Sequence, residues 1–506
     1  MKSGDSPFKR LAVQVSHYSV ASLLTTLAGL VSFPLLTRIF SVADYGVMNL
    51  IAATLTVSVA LGKVGVQHSI VRYRTEIREG KGRFTSDQLT STTFLAMTAT
   101  GVVTTAVLVG GSQVVPLAWL GDARLRALFV VAALVVAVQV TESVMFNFLR
   151  ADQETTLLMK YQVLKRYFGL GVILFAVLVI SRTLQSFYVA TLLTETLAVA
   201  LLAVAFFRRP GVPRVDRRDF SRPLYRELLA FGIPMMVGYE MSGIILAVGD
   251  RYVIHGTIGE TPLGLYSAAY NLCQYVQAVF VASVGQAVMP LYMQMYDQKG
   301  VEATAAFIAR SLRTYVLFGA PVIAGLAAVG KELLPSLASD KYASGALIVP
   351  WVIAGMVVDG SNSMVAAGLF IHRKTKHIMS IVLSAAILNL VLNLILVPRI
   401  GILGAAIATL VSYAVASVLL AIVGHRFLPV KLPFPTIARA GLAAAGMYLA
   451  VMNLDPGHHL VTVALRVVVG APIYLLLAAL FDPDARRLVA DGRDRLRRKA
   501  PGAVAP

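Results

Sequence analysis

The sequence has little charge and almost no cysteine. Only 14% of its 506 residues are Asp, Glu, Lys or Arg, a share too small for a soluble protein of this length. The single cysteine, Cys273, excludes an internal disulfide and argues against a redox or metal centre. The chain also lacks the GxxxxGK(S/T), HExxH and CxxC motifs. We therefore predict no bound metal or cofactor and no ATP-driven transport by this chain.

Apolar residues make up 57% of the sequence and are gathered in fourteen stretches. Each stretch is close to the roughly 20 residues that a helix needs to cross about 30 Å of hydrocarbon. We predict an all-α polytopic membrane protein with about fourteen transmembrane helices. The stretches are 11–37, 46–66, 88–110, 125–148, 163–181, 187–207, 228–249, 263–290, 303–328, 346–371, 378–397, 401–424, 436–452 and 459–481.

Lysine and arginine residues are concentrated in every second connection between the predicted spans. If the N-terminus is cytoplasmic, most of the 45 Lys and Arg residues fall in the cytoplasmic connections and the two tails, as the positive-inside bias requires. Both termini are therefore predicted to be cytoplasmic. The net charge of +19 is explained by this topology, and we expect no nucleic-acid partner.

Two segments outside the predicted spans are rich in basic residues. RRPGVPRVDRRDFSRPLYR (208–226) is a predicted linker between two six-helix halves, and RRLVADGRDRLRRK (486–499) lies in the tail. Both are typical of solvated loops that set membrane orientation, with recognition of acidic headgroups or phosphate as the alternative. The predicted domains are an N-lobe at 1–207, a linker at 208–227, a C-lobe at 228–425, an extra helix pair at 426–485 and a tail at 486–506.

An imperfect sequence repeat relates the two halves of the chain. DYGVMNLIAA (44–53) follows Arg38, and PLGLYSAAYN (262–271) follows Arg251. We predict that Gly46 and Gly264 form equivalent tight turns on the outer side, each before a helix. Because six spans separate the copies, the repeat is parallel and indicates two bundles related by an axis along the membrane normal.

A set of short motifs resembles a known family, the Wzx-type polysaccharide-export flippases of the MOP superfamily, which also contains lipid II flippases and MATE drug exporters. The resemblance covers roughly residues 10–425 and depends on the order and spacing of the motifs. They are Pro34, Arg38, Tyr45 with Gly46, FGIP (231–234), DRY (250–252), GLYSAAY (264–270), Pro290 and GILGAAIAT (401–409).

This resemblance implies a V-shaped pair of six-helix lobes in the bacterial inner membrane. It also implies a transporter, not an enzyme, that moves undecaprenyl-diphosphate-linked oligosaccharide to the outer leaflet by alternating access. Membrane potential, H⁺ or Na⁺ would supply the energy. The implied partners are the lipid-linked saccharide, membrane lipids and the polysaccharide polymerase and export machinery. Many such flippases have twelve helices, and in fourteen-helix relatives the extra pair is associated with the lipid tail.

Polar residues inside the spans are the candidates for contact with a hydrated headgroup, because unpaired polar groups are costly at that depth. For the asparagines and glutamines, hydrogen bonding between helices is the alternative. For the acidic residues, an internal salt bridge is the alternative. The candidates are Glu142, Asn147, Arg150, Glu240, Asn271, Gln274 and Asp359.

Three arginines are candidates for binding a diphosphate, whose geometry a guanidinium group matches. Arg72 lies at the inner end of span 2, where a headgroup would enter. Arg38 and Arg251 lie at outer ends, where it would leave. Asp250 adjoins Arg251 and is included as a candidate, although a local ion pair is the alternative. Snorkelling of the arginines to the interface is a further alternative.

Three other functions remain open at this point. A lipid II-type flippase would share the fold and the lipid carrier. A MATE-like drug or cation antiporter would have a compact apolar cavity with a central carboxylate. A membrane glycosyltransferase would need a large outer loop or a DxD-type carboxylate pair on a soluble segment, whereas the predicted outer connections are all short and none has paired carboxylates.

Overall fold

The computed structural model describes residues 7–114 and 124–487, without the side chains of residues 7–19, 239 and 280–287. The predicted basic tail lies outside the described residues from 488 onward. Within the described ranges the regular structure is helical, which confirms the predicted all-α class.

Seventeen α-helices follow one another in the described ranges. Those of the first half are α1 (Pro7–Ile39), α2 (Val42–Lys63), α3 (Val66–Arg78), α4 (Ser86–Val114), α5 (Arg124–Ala151), α6 (Thr155–Phe175), α7 (Leu184–Phe207), α8 (Arg222–Met235) and α9 (Ser242–Ile258). Those of the second half are α10 (Glu260–Leu337), α11 (Val349–Gly360), α12 (Asn362–Val365), α13 (Ala367–Ile371), α14 (Thr375–Ile400), α15 (Ile402–His425), α16 (Phe434–Val451) and α17 (His459–Phe481).

The chain is a multi-pass membrane protein. In the described ranges, 12 helices are long and apolar enough to cross a membrane, or 13 if α8 and α9 form one bent span. This number includes Val288–Leu337 once, although α10 is broken at Gly300, which has φ 77° and ψ −167°. Gly300 lies between predicted spans 263–290 and 303–328. The predicted count of fourteen is compatible with this arrangement and stays a prediction.

The helices form two compact units, Met1–Gly264 and Leu265–Pro506. In the first unit, α5 packs against α2, α3, α4 and α7, and α1 packs against α6. The first unit also contains α8 and α9, which the sequence assigns to the predicted C-lobe at 228–425. The division into two six-helix lobes therefore stays a prediction.

The basic segment between α7 and α8 is held against α4. The backbone N–H of Asp216 donates to the Ser91 hydroxyl at 3.1 Å, and that of Ser221 donates to the Thr92 hydroxyl at 2.9 Å. Both acceptor side chains are fully buried. Buried hydroxyls thus fix a segment whose composition alone is typical of a solvated loop.

The predicted turns at Gly46 and Gly264 are wrong, because both glycines lie inside helices, in α2 and α10 respectively. A Cβ atom on Gly264 would overlap the Val42 carbonyl, and one on Gly46 would overlap the Glu260 carbonyl. The glycines therefore permit two helix N-termini to touch backbone to backbone. The turn glycine before α10 is Gly259, with φ 94°.

In the second unit, α16 and α17 pack together, and Arg466 of α17 attaches this pair to α10. Its guanidinium lies 2.9 Å from the Glu332 carboxylate and donates to the Ala328 carbonyl at 2.5 Å. It also donates to the carbonyls of Met452 and Leu454 at 3.1 and 3.0 Å. Arg466 is 7% exposed, so a buried ion pair anchors the C-terminal helix pair.

Candidate functional site

The first feature of the site is a break between α2 and α3. Val64 and Gly65 both adopt left-handed conformations, with φ 49° and 77°, and a β-branched residue is rare in that region. A Cβ on Gly65 would overlap the Gly232 carbonyl, and a Cβ on Gly232 would lie 2.5 Å from the Gly65 carbonyl. The break is thus fixed by direct backbone contact with α8, and such strained positions concentrate at functional sites.

The second feature is a break between α8 and α9. The helix passes through a π-helical turn at Met236–Met241, which begins two residues after Pro234. Proline lacks an N–H group and crowds the preceding turn. Segments Arg222–Gly238 and Ser242–Ile258 are bent by 48°. π-Helical turns often occur at functional sites, and this one carries Glu240.

A polar cluster joins the two breaks. The Gln67 side-chain amide donates to Glu240 Oε2 at 2.5 Å, and His68 Nε2 lies 3.0 Å from the same oxygen. Gln67 is buried, while the side chains of His68 and Glu240 are 28% and 21% exposed. Lys63 adds an attractive electrostatic interaction with Glu240. The cluster pairs an acidic group with hydrogen-bond donors and remains partly accessible.

Arg72 lies one helical turn beyond His68 on α3 and is more accessible. Its side chain is 54% exposed and bonds Glu76 at 2.9 Å. The guanidinium also lies over the Phe231 ring of α8, 5.2 Å from its centroid. Next to it, burial and the hydrogen-bonded Glu227 carboxylate raise the pKa of Tyr73. The face shared by α3 and α8 thus presents one guanidinium held over an aromatic ring.

The predicted candidates on α5 have partners other than this cluster. Glu142 is paired with Lys165 of α6 at 2.7 Å, so the structure matches the salt-bridge alternative. Asn147 donates to the Ser143 carbonyl of its own helix at 2.7 Å, and Arg150 is exposed at the end of α5.

Arg251 and Asp250 on α9 form a local ion pair, the alternative to contact with a diphosphate. Their charged atoms are 3.5 Å apart, and both side chains are buried. Arg251 also donates to the Ala247 carbonyl at 2.8 Å. Arg38, near the end of α1, is exposed.

The remaining predicted candidates belong to the second unit. Asp359 accepts from the Asn362 amide at 2.9 Å, and Asn362 in turn accepts from Ser417 at 2.6 Å. Asn271 is half-buried and Gln274 is exposed, both on α10. Asp359 is thus part of a chain of hydrogen bonds between α11, α12 and α15.

Sequence reasoning missed Gln67, His68, Lys165 and Glu195 as contact residues. Gln67 and His68 closely follow the Gly65 break, so the GVQH sequence at 65–68 is the feature that could have pointed to them. Lys165 stands near the cytoplasmic end of its predicted span, and its charge was explained by topology. Among the described residues, no group of three or more His, Cys, Asp or Glu side chains has an arrangement suited to a metal ion.

Substitution of Glu240 by alanine is expected to destabilise the protein by about 1–3 kcal/mol, because the buried Gln67 amide loses its acceptor. Glu240→Gln keeps a carbonyl acceptor and should recover most of that loss. The thermal unfolding midpoint of the purified protein measures both effects. Glu79→Ala is the control, since Glu79 is exposed and forms its salt bridge with the exposed Lys81. Equal unfolding midpoints for Glu240→Ala and wild type would contradict the stabilising role of the contacts among Gln67, His68 and Glu240.

Sequence comparisons relate the chain to glycan flippases. A family model described as "Polysaccharide biosynthesis protein" matches residues 35–347. The chain is similar to the probable low-salt glycan biosynthesis flippase Agl15 of Haloferax volcanii, with 19% identity over 49% of this chain and 54% of that protein. It is also similar to the probable flippase AglR of the same organism, with 23% identity over 48% and 52%. The matches thus span about half the length of these relatives.

Comparison of structures shows the same fold class. The lipid II flippase MurJ in its inward closed conformation matches with TM-score 0.76 at 13% identity, over 92% of this chain and 99% of that chain. An inward-facing multidrug resistance MATE transporter of the MOP superfamily matches with TM-score 0.61 at 15% identity, over 84% and 96%. At these identities the likeness is one of fold.

Proposed function

The chain belongs to the polysaccharide biosynthesis protein family, and from that premise we propose that it is a flippase for lipid-linked glycans. Its substrate is undecaprenyl-diphosphate-linked oligosaccharide, which it moves from the cytoplasmic to the outer leaflet of the bacterial inner membrane for surface polysaccharide synthesis. The family match, which covers more than half of the chain, carries this proposal and confirms the family that the sequence motifs indicated.

The names of the relatives favour a flippase over the other readings. Both curated relatives from Haloferax volcanii are named as flippases. The MATE-like fold also fits a drug antiporter, but the family match concerns polysaccharide biosynthesis. The polymerase and export machinery are proposed as partners that take the product on the outer side.

We assign headgroup contact first to the face that carries Arg72. A guanidinium binds diphosphate oxygens bidentately, and Arg72 is more than half exposed beside the polar cluster of Gln67, His68 and Glu240. We further propose that the π-helical turn between α8 and α9 bends during alternating access, because π-turns are points where a helix kinks. Arg38 on the exposed end of α1 is the proposed exit contact.

Deletion of the gene in its native cell tests the function. Lipid-linked saccharide should accumulate on the inner leaflet, surface glycan should fall, and mass spectrometry of lipids that co-purify with the protein should identify the carrier and the sugar. Unchanged surface glycan together with new drug sensitivity would instead establish an antiporter.

Substitution of Arg72 by alanine is expected to reduce glycan export in the complemented deletion strain without lowering the protein level. The loss follows from removal of the guanidinium that contacts the diphosphate. Arg78→Ala is the matched control, because Arg78 is exposed in the last turn of the same helix. Wild-type export by Arg72→Ala would remove Arg72 from the substrate path.

A further inference from the structure

A polar pocket lies in the second unit where three segments of the chain meet. They are the part of α10 after Gly300, the connection between α15 and α16, and the residues that follow α17. The cavity has a volume of about 720 Å³, and its charged lining residues are Glu302, Arg310, Arg313, Lys431, Asp484 and Arg487. The predicted topology puts all three segments on the cytoplasmic side, and therefore places the pocket at the inner face of the membrane.

The polar pocket carries more positive than negative charge. Its four basic side chains stand against two carboxylates, which leaves a net charge of +2. Asp484 is shared between Arg313 at 3.3 Å and Arg487 at 4.0 Å. Within the described part of the chain, neither Arg310 nor Lys431 has an ion-pair partner, and both are exposed. One guanidinium and one ammonium group are therefore available to an anion, and phosphate oxygens accept strong, charge-assisted hydrogen bonds from both.

Two apolar grooves adjoin the polar pocket and share its unpaired basic residues. The larger groove, of about 700 Å³, shares Lys431 with the pocket. Four of its large apolar side chains are more than one-third exposed: Val418, Ile422, Leu432 and Phe434. The smaller groove, of about 280 Å³, shares Arg310 and Thr314 with the pocket and is otherwise lined mainly by apolar residues, among them Phe307 and Phe318. Each groove thus has a basic residue of the polar pocket in its wall.

The ligand that fits this arrangement is amphiphilic. The larger groove follows α15 from Ser417 to His425, a length of about 12 Å at 1.5 Å per residue, and most of that length belongs to the predicted span 401–424. Apolar chains of a membrane lipid match such a surface. A soluble phosphate would meet the cations but leave both grooves unfilled, and a purely apolar molecule would leave Arg310 and Lys431 without a counter-ion.

We propose that the polar pocket binds the phosphate of an anionic glycerophospholipid of the cytoplasmic leaflet, with Arg310 and Lys431 on the phosphate and the acyl chains in the adjoining grooves. The net positive charge of the pocket favours an anionic headgroup, such as phosphatidylglycerol, over a zwitterionic one. This lipid is distinct from the lipid-linked saccharide of the proposed function. Because three segments line the pocket, a bound lipid stabilises the contact of α10 with the α15–α16 connection and with the end of α17.

Native mass spectrometry of the purified full-length protein, stripped of lipid and titrated with phosphatidylglycerol, tests the binding. Each basic residue near an anionic headgroup contributes about fivefold in affinity, so the double variant Arg310→Gln, Lys431→Gln should bind about 25-fold more weakly. Arg310→Lys, Lys431→Arg keeps both charges and should retain binding. The control Lys299→Gln, Arg426→Gln removes the same charges from exposed positions of α10 and the α15–α16 connection that do not line these cavities. Equal affinity of the first variant and wild type overturns the proposal.

The thermal unfolding midpoint separates a lipid from other sources of phosphate. Phosphatidylglycerol should raise the midpoint of the wild-type protein but not that of Arg310→Gln, Lys431→Gln. Glycerophosphoglycerol, which is the same headgroup without acyl chains, and inorganic phosphate should leave it unchanged at equal concentration. An equal rise with inorganic phosphate indicates a site for soluble phosphate, and an equal rise with phosphatidylcholine indicates that charge is not recognised; either result overturns the proposal. No saccharide enters these measurements, so they stand even if the proposed flippase function fails.

Discussion

Replacement of Arg466 by methionine is expected to destabilise the protein by about 3–5 kcal/mol, the cost of breaking a buried ion pair by removal of one partner. Glu332 would keep a buried charge without its cation, and the carbonyls of Ala328, Met452 and Leu454 would lose a donor. A lower midpoint of thermal unfolding of the purified protein measures this effect. Because α16 and α17 depend on this contact, proteolysis between α15 and α16 should also become faster.

Two variants separate the buried pair from an ordinary surface pair. Arg313 and Asp484 also join α10 to the C-terminal end of the pair, at 3.3 Å, but both are more than one-third exposed, so Arg313→Met should cost no more than about 1 kcal/mol. The double variant Arg466→Met, Glu332→Met removes both buried charges and should recover much of the loss. An equal loss in the two single variants would contradict the argument.

The membrane-spanning helices could be predicted because the apolar length that crosses a bilayer is a local property of the sequence. The predicted span at 401–424 nearly coincides with α15, which runs from Ile402 to His425. The separation of predicted spans 8 and 9 falls at Gly300, where the structure breaks the helix. Each of these features depends on neighbouring residues only.

The site could be predicted only in part, since its geometry depends on contacts between distant segments. Glu240 was a candidate because an acidic residue inside a span is costly, but its partners Gln67 and His68 lie more than 170 positions away. Likewise, composition suggested a turn at Gly264, whereas the helix needs glycine there because the Val42 carbonyl approaches closely. A single sequence contains no direct signal for such pairings.

Substitution of Gly65 by alanine is expected to destabilise the protein by about 2–5 kcal/mol and to reduce glycan export. Two costs combine at this position. An alanine at φ 77° pays about 1–2 kcal/mol for the left-handed conformation. Its Cβ would also overlap the Gly232 carbonyl, and overpacking of this kind costs about 1–3 kcal/mol. The thermal unfolding midpoint and the export of surface glycan are the measurements.

Two other glycines separate these costs. Gly80 has φ 70° with open space around its Cβ position, so Gly80→Ala should show the conformational cost alone. Gly232 lies inside α8, and a Cβ there would come 2.5 Å from the Gly65 carbonyl, so Gly232→Ala should show the packing cost alone. If Gly65→Ala loses about as much as these two variants together, both costs act at the break. If it loses no more than Gly80→Ala, close contact between α8 and the break does not hold the site together.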